Sequence, residues 1–172
     1  AMNRKHNISE YYKIIEDLKN AKSDIKFSSD FIIGYPGESE DDFNQTLNLI
    51  EKVKFINSYS FIYSARPGTP ASKLDNVDPI VAKKRLVKLQ ATLEKNNSKY
   101  KKGFLDKSIE VLFENKLANQ NKYFGRDKFL NSVIVQSTKD LTGQILDIKI
   151  NAFNHNSLFG IILSNKKRNF AA

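Results

Sequence analysis

The sequence predicts two architectures in one chain, α/β followed by all-β, and three features lead there. Residues 8–102 alternate helical and extended apolar spacing in the order helix, strand, helix, strand, helix. Residues 103–163 hold five short β-rich runs separated by Asn- and Gly-containing turns. A content of 40% hydrophobic and 27% charged residues over 172 positions suits folded domains rather than a disordered chain. Right-handed crossovers turn the first pattern into an arc of parallel sheet. The second pattern gives a small antiparallel barrel of OB-like size. The boundary is expected close to Gly103, with domains at 1–102 and 103–164 and a basic tail at 165–172.

The first helix covers residues 8–22, where Ile8, Tyr11 or Tyr12, Ile15 and Leu18 fall at helical spacing. A strand follows over residues 25–33, and its apolar end, Phe31-Ile32-Ile33, suits a parallel strand covered on both faces. Gly34, Tyr35, Pro36 and Gly37 break it sharply. Ser39 then caps a helix over residues 39–54, with Asp42 as a shorter capping-box acid and Phe43, Leu47, Ile50 and Val53 as the buried stripe. Residues 57–64 form the next strand, ended by Arg66-Pro67-Gly68-Thr69-Pro70. Pro79 fits a first helical position, and Leu86, Leu89, Leu93 and Tyr100 lie roughly on one side of the helix behind it. The barrel strands are SIEVLFE, NKYFGRD, NSVIVQ, QILDIKINAF and SLFGIIL.

Charge and composition narrow the function. A net charge of +9 makes polyanions the first partners to consider. Residues 83–102 concentrate it, with eight basic side chains and Glu94 as their single acid. No apolar run reaches the roughly 20 residues of a membrane span, and the start lacks a signal-peptide core, so no membrane partner and a cytoplasmic location are expected. With zero cysteine the chain forms no disulfide and ligates no Cys-bound zinc or iron–sulfur cluster. His6 and His155 read as ordinary surface groups, and no metal site is expected.

Ligands of parallel α/β sheets bind beyond the carboxyl ends of the strands. Two such ends are visible. At the first, Gly34 and Gly37 let backbone approach a ligand and Glu38 offers hydrogen-bond acceptance; the same residues also make an ordinary tight turn. At the second, Arg66 and Thr69 are either an anion or base contact or a plain Pro-Gly turn.

The run SSDFIIGYPGESEDDFNQTLNLIEKVKF, followed by SFIYSARPGTPASKL and a helix containing RLVKLQ, resembles the MiaB-type tRNA methylthiotransferases. The β-rich end, with Gly103, Gly125-Arg126, Asn131-Ser132-Val133, Gly143 and Leu158-Phe159-Gly160, is similar to the RNA-binding TRAM domain. The resemblance covers nearly the whole chain. It implies the C-terminal part of a radical S-adenosylmethionine (β/α) partial barrel followed by a TRAM β-barrel. It also implies an enzyme that adds a methylthio group to C2 of N6-isopentenyladenosine beside the tRNA anticodon, using S-adenosylmethionine and 4Fe-4S clusters. By that resemblance Gly34, Tyr35, Pro36, Gly37 and Glu38 lie on the S-adenosylmethionine side, and Arg66 and Thr69 face the substrate. Lys122, Arg126, Lys128 and Lys149 are the candidate phosphate contacts of the barrel, with Tyr123, Phe124 or Phe129 as stacking candidates.

The chain departs from that family in lacking its cluster cysteines. Alone it is expected to be inactive, to hold neither cofactor stably, and to work with a missing N-terminal half. Two further readings remain open: a stand-alone RNA-binding protein without catalysis, and a sibling methylthiotransferase acting on threonylcarbamoyl-adenosine.

Overall fold

A computed structural model describes residues 4–118 and 120–163. The described residues form two compact units, divided between Asn96 and Asn97.

In the first unit, α1 (Ile8–Ala21) begins at Asn7, whose side chain accepts from the Glu10 N–H while the Glu10 carboxylate accepts from the Asn7 N–H. β1 (Asp30–Ile33) leads into α2 (Glu40–Val53), which starts with the same reciprocal cap between Ser39 and Asp42. Three acids in its first turn complement the helix dipole. Lys54, at φ 61°, ends it in the left-handed region. β2 (Tyr59–Ile62) then runs parallel to β1 in the register Asp30↔Tyr59 to Ile33↔Ile62. A 3-10 turn (Pro70–Lys73) precedes α3 (Pro79–Lys102), which opens with proline as expected. The core joins Ile15, Phe31, Ile33, Phe43, Ile50, Val53, Phe55, Leu89 and Leu93. Phe31 meets Phe55 edge to face at 5.4 Å.

Two expectations are corrected here. The strand read over residues 25–33 enters the regular ladder at Asp30, and that read over 57–64 runs in it from Tyr59 to Ile62, with single backbone bonds outside it from the Ile56 N–H to the Phe27 carbonyl and from the Tyr63 N–H to that of Ile33. The cause lies at Asn57, at φ 47°, and Ser58, whose hydroxyl oxygen takes the Ser29 N–H at 3.1 Å. A side chain there replaces a ladder partner, so regular pairing begins one residue later. Nor is the apolar end of β1 covered on both faces. Phe31 and Ile33 are buried, but Ile32 and its neighbour Phe61 stand 42% and 54% exposed.

The second unit contains five strands, β3 (Ser108–Lys116), β4 (Lys122–Arg126), β5 (Ser132–Gln136), β6 (Ile145–Phe153) and β7 (Ser157–Ile162). They form a closed barrel in the order β3-β4-β5-β7-β6. All five lie where the β-rich runs predict them. Val111, Phe113, Tyr123, Val133, Val135, Leu141, Ile148, Ile150 and Leu158 fill the interior.

The barrel is not wholly antiparallel, however: β5 and β7 pair in parallel. Parity requires it. Direction must alternate around an antiparallel ring, and five strands cannot alternate all the way round, so one pair has to match. Two close approaches shape the ring. At Gly125 an added Cβ would lie 2.5 Å from the Leu112 carbonyl oxygen, and at Gly160 2.5 Å from that of Lys149. Both face long strands that carry a register shift, between Phe113 and Asn115 in β3 and between Ile150 and Ala152 in β6. Glycine opposite a bulge lets a small barrel turn its corner.

Candidate nucleic-acid interface

Alternation along β4 sorts its residues by face. Tyr123 and Gly125 point inward, while Lys122, Phe124 and Arg126 point outward. Tyr123 is therefore a core residue and no stacking platform. Phe124, half-buried, pairs across to Ile134 of β5, which in turn pairs with Phe159 of β7. These three form an apolar row on the barrel's outside. Sequence reasoning named Phe159 only within the TRAM-like Leu158-Phe159-Gly160 and did not name Ile134, although the inward Leu158 beside Phe159 was the available signal.

Arg126 is held in place over this row. Its guanidinium carbon lies 5.2 Å from the Phe124 ring centroid, and Nε is 3.0 Å from Glu114 Oε1. Both side chains remain well exposed, so the ion pair orients more than it stabilises. Lys128, in the β4–β5 loop, sits 4.8 Å from the Phe129 ring. The loop itself is fastened by Asp127. One carboxylate oxygen accepts from the N–H groups of Phe129 and Asn131, each at 2.9 Å, and the other accepts from the Asn131 side chain at 2.8 Å. That same amide donates to the Tyr100 hydroxyl oxygen at 2.8 Å.

Lys122, Arg126 and Lys128 thus belong to one strand and its loop, with a half-buried aromatic among them. Positive charge beside an aromatic face is the chemistry that phosphates and unpaired bases call for. Lys149 does not join them. It lies on β6, separated from β4 by β3 on one side and by β7 and β5 on the other, and its nearest acid is Asp106 at 3.9 Å. The tail predicted at residues 165–172 lies outside the described residues.

The Tyr100 hydroxyl links this loop to pH. Burial pushes it up to about 12; the Asn131 hydrogen bond opposes the rise and the Asp127 charge adds to it. The folded unit therefore favours the neutral phenol. Its contribution to stability is intact below the ordinary value near 10 and is lost as pH climbs toward 12. Thermal melts between about pH 9 and pH 12 should accordingly fall more steeply for the parent than for Tyr100→Phe. Identical slopes would show that the hydroxyl ionises as freely in the folded chain as in the unfolded one.

In the first unit the loops after β1 and β2 leave the same end of the parallel pair, where Tyr35 and Tyr63 pack edge to face at 5.2 Å. Gly34 and Gly37 have φ of 75° and 84°, and Pro36 is buried. Glu38 folds back to accept from the Gly34 N–H at 3.0 Å, and its own N–H donates to the Tyr35 carbonyl at 2.8 Å. Its other carboxylate oxygen takes Arg85 Nη1 at 2.8 Å. Arg85, buried on α3, also donates to the Glu38 carbonyl and, through Nε and Nη2, to Glu40. This cationic clasp was missed from the sequence, where Arg85 stands out only as a charge within the apolar spacing of Ala82, Leu89 and Leu93. The Glu38 carboxylate is thus occupied by the chain itself, and what the loop offers a ligand is backbone around Gly37, beside which an added Cβ would find open space. Thr69 turns its hydroxyl onto the Arg66 carbonyl at 2.8 Å, leaving the Arg66 side chain exposed.

Among the described residues no group of His, Asp and Glu is placed to hold a metal ion, and no helix is long and apolar enough to cross a membrane. The chain has no cysteine, so its residues do not fit a thiolate-bound iron–sulfur cluster.

No family model matches the chain. Individual proteins do. It is 47% identical over 170 residues to a tRNA-2-methylthio-N(6)-dimethylallyladenosine synthase of Pelagibacter ubique, covering 99% of this chain and 38% of the relative. Synthases of the same name from Wolbachia pipientis subsp. Culex pipiens and Ruthia magnifica are each 43% identical, over 93% and 95% of this chain and 37% of their own lengths. The chain thus spans well under half of the curated relatives it matches. With identity at this level running from end to end, it belongs to the tRNA-2-methylthio-N(6)-dimethylallyladenosine synthase family, as the counterpart of the C-terminal part of its members.

Proposed function

We propose that this chain is the tRNA-holding C-terminal part of a methylthiotransferase that modifies C2 of N6-isopentenyladenosine next to the anticodon. The observation that carries this is identity of 40–47% over at least 93% of the chain to relatives named for that reaction. The outward row of Lys122, Phe124 and Arg126 on a closed five-stranded barrel supports it, because that surface has the charge and stacking capacity RNA needs. The barrel is read as the TRAM domain, with 103–164 as its extent and Lys149 as an outlying phosphate contact.

The first unit is read as part of a radical S-adenosylmethionine barrel, over residues 1–102. Its parallel pair with an exposed face of Ile32, Tyr59 and Phe61 suits a sheet that further strands extend and cover. In the complete enzyme S-adenosylmethionine would supply the methyl group and the radical, and a 4Fe-4S cluster, for which this chain holds no thiolate, would supply the electron. The thiolates for that cluster come from residues outside this chain, in an N-terminal portion that is its proposed partner. Gly34, Tyr35, Pro36, Gly37 and Glu38 line the cofactor side, and Arg66 and Thr69 the substrate side. A tRNA substrate places the work in the cytoplasm.

The test is a salt titration of tRNA binding. Log affinity should fall linearly with log salt, and Arg126→Ala with Lys128→Ala should weaken binding by about tenfold and flatten the slope by about one for each phosphate no longer neutralised. The weakening should be similar for different RNA sequences, because phosphate contacts position rather than specify. Unchanged affinity and slope would remove the barrel face from the interface.

A further inference from the structure

The lysines of α3 are not scattered. At 3.6 residues per turn, Lys84, Lys88 and Lys95 fall within about 40° of one another around the helix, and all three are exposed. The same spacing continues in the sequence at Lys99 and Lys102.

A solvated helix face ordinarily mixes signs, with acids three or four residues from lysines. Here the positions three and four away from Lys84, Lys88 and Lys95 hold Ile, Val, Ala, Thr, Ser, Arg and Lys, with no acid among them. Glu94, the one acid of the helix, lies about a quarter-turn round. No ion pair reaches the three lysines among the described residues. Lys84 and Lys88 instead repel each other one turn apart. The acid at this helix start is Asp78, just before Pro79, and its carboxylate is taken up by the Ile80 and Val81 N–H groups. By contrast, α2 opens on Glu40, Asp41 and Asp42, and α1 carries Glu10 in its first turn. Lys88 is in addition steered by the Phe43 ring, 5.6 Å from its nitrogen.

A row of like charges with no acid of the fold against it is open to a polyanion. We propose that Lys84, Lys88 and Lys95 form a second tRNA contact, made by side chains other than those of the barrel, which meets the phosphate backbone without reading sequence. The row is about 16 Å long at 1.5 Å per residue. Lysine, a compact charge on a flexible stem, suits contact with a run of phosphates more than recognition of a base. The proposal rests on the tRNA reading above.

The experiment uses the full chain and unfractionated tRNA, titrated with salt, comparing the parent with Lys84→Ala/Lys88→Ala/Lys95→Ala and with Arg126→Ala/Lys128→Ala. Alanine at exposed helical positions preserves the helix, and unchanged far-ultraviolet circular dichroism verifies it. The triple variant should bind at least about tenfold more weakly at low salt, with a slope smaller by about two to three. The barrel pair should lower the affinity independently of it. If the barrel pair weakens binding and the triple does not, the row is a plain solvated face, and the tRNA reading stands without it. If the parent fails to bind tRNA even at low salt, that reading falls and this one with it. If the triple leaves tRNA binding intact but abolishes retention on phosphatidylserine–phosphatidylcholine vesicles, the row serves a membrane surface and the proposal is overturned.

Discussion

Gly125→Ala should lower the stability of the barrel by about 3 kcal/mol, at the top of the usual range for overpacking. The added methyl would lie 2.5 Å from the Leu112 carbonyl oxygen and 2.7 Å from Val111 Cγ1. A flexible side chain would swing away at little cost. Leu112 O is backbone, fixed in the β3 ladders to both β4 and β6, so relief means opening pairs. Gly160→Ala repeats the conflict at the Lys149 carbonyl and should cost a similar amount. Gly143 is the control: its φ is 76° but nothing lies within 4 Å of an added Cβ. Alanine there should cost only the left-handed backbone penalty, about 1 kcal/mol. Denaturant midpoints of the three variants, followed through the barrel's amides, check the order. Losses at Gly125 and Gly160 no larger than that at Gly143 would mean that the ladders relax around the added methyl and that close approach does not govern these positions.

Arg85→Met should destabilise the first unit by about 3 kcal/mol. The Glu38 side chain is 12% exposed and that of Arg85 9%, so removing the guanidinium strands a carboxylate in a site that water barely reaches. The Glu40 arm of the clasp adds little, since that side chain is 64% exposed. Converting Glu38→Gln in the Arg85→Met background should recover at least half of the loss, because a neutral amide still accepts from the Gly34 N–H. Arg85→Lys should fall between, as an ammonium cannot fork to the carboxylate, the carbonyl and Glu40 together. A double variant no more stable than Arg85→Met would show that the guanidinium acts by packing against the Phe43 ring, 5.6 Å away, instead of by charge.

What could be read from the sequence was local. Ser39 with Asp42, and Pro79 at a helix start, are signals whose partners lie within four residues, and both appear as expected. The run Ser132-Val133-Ile134-Val135-Gln136, with turn residues on either side, contains its own strand. Strand lengths in the first unit were not legible, because they depend on what one side chain, Ser58, does to a segment 29 residues away. The aromatic faces of β4 were half legible. Adjacent Tyr123 and Phe124 do not say which points inward, but Gly125 shares the face of Tyr123, and a strand glycine marks the crowded side. The clasp at Arg85 had the weakest signal, since its acceptors lie some 45 positions earlier. For the proposed interface, three of the four basic candidates fall on one strand and its loop, while Lys149 parts from them through the order of strands around the ring, which spacing along the chain does not reveal.

The closed strand order of the barrel carries a consequence for how it opens. Every strand has two partners, and the ring is completed by joins distant in sequence, such as Leu112 with Ile145 and Val133 with Leu158. No strand can peel off without breaking two ladders at once. Amide hydrogens across all five strands should therefore exchange together, through one global opening, whereas those of the two-stranded β1–β2 pair exchange by local fraying. The same long-range joins postpone the reward for chain closure, so the barrel should fold on the millisecond-to-second timescale of non-local β topologies rather than the faster one of helical units.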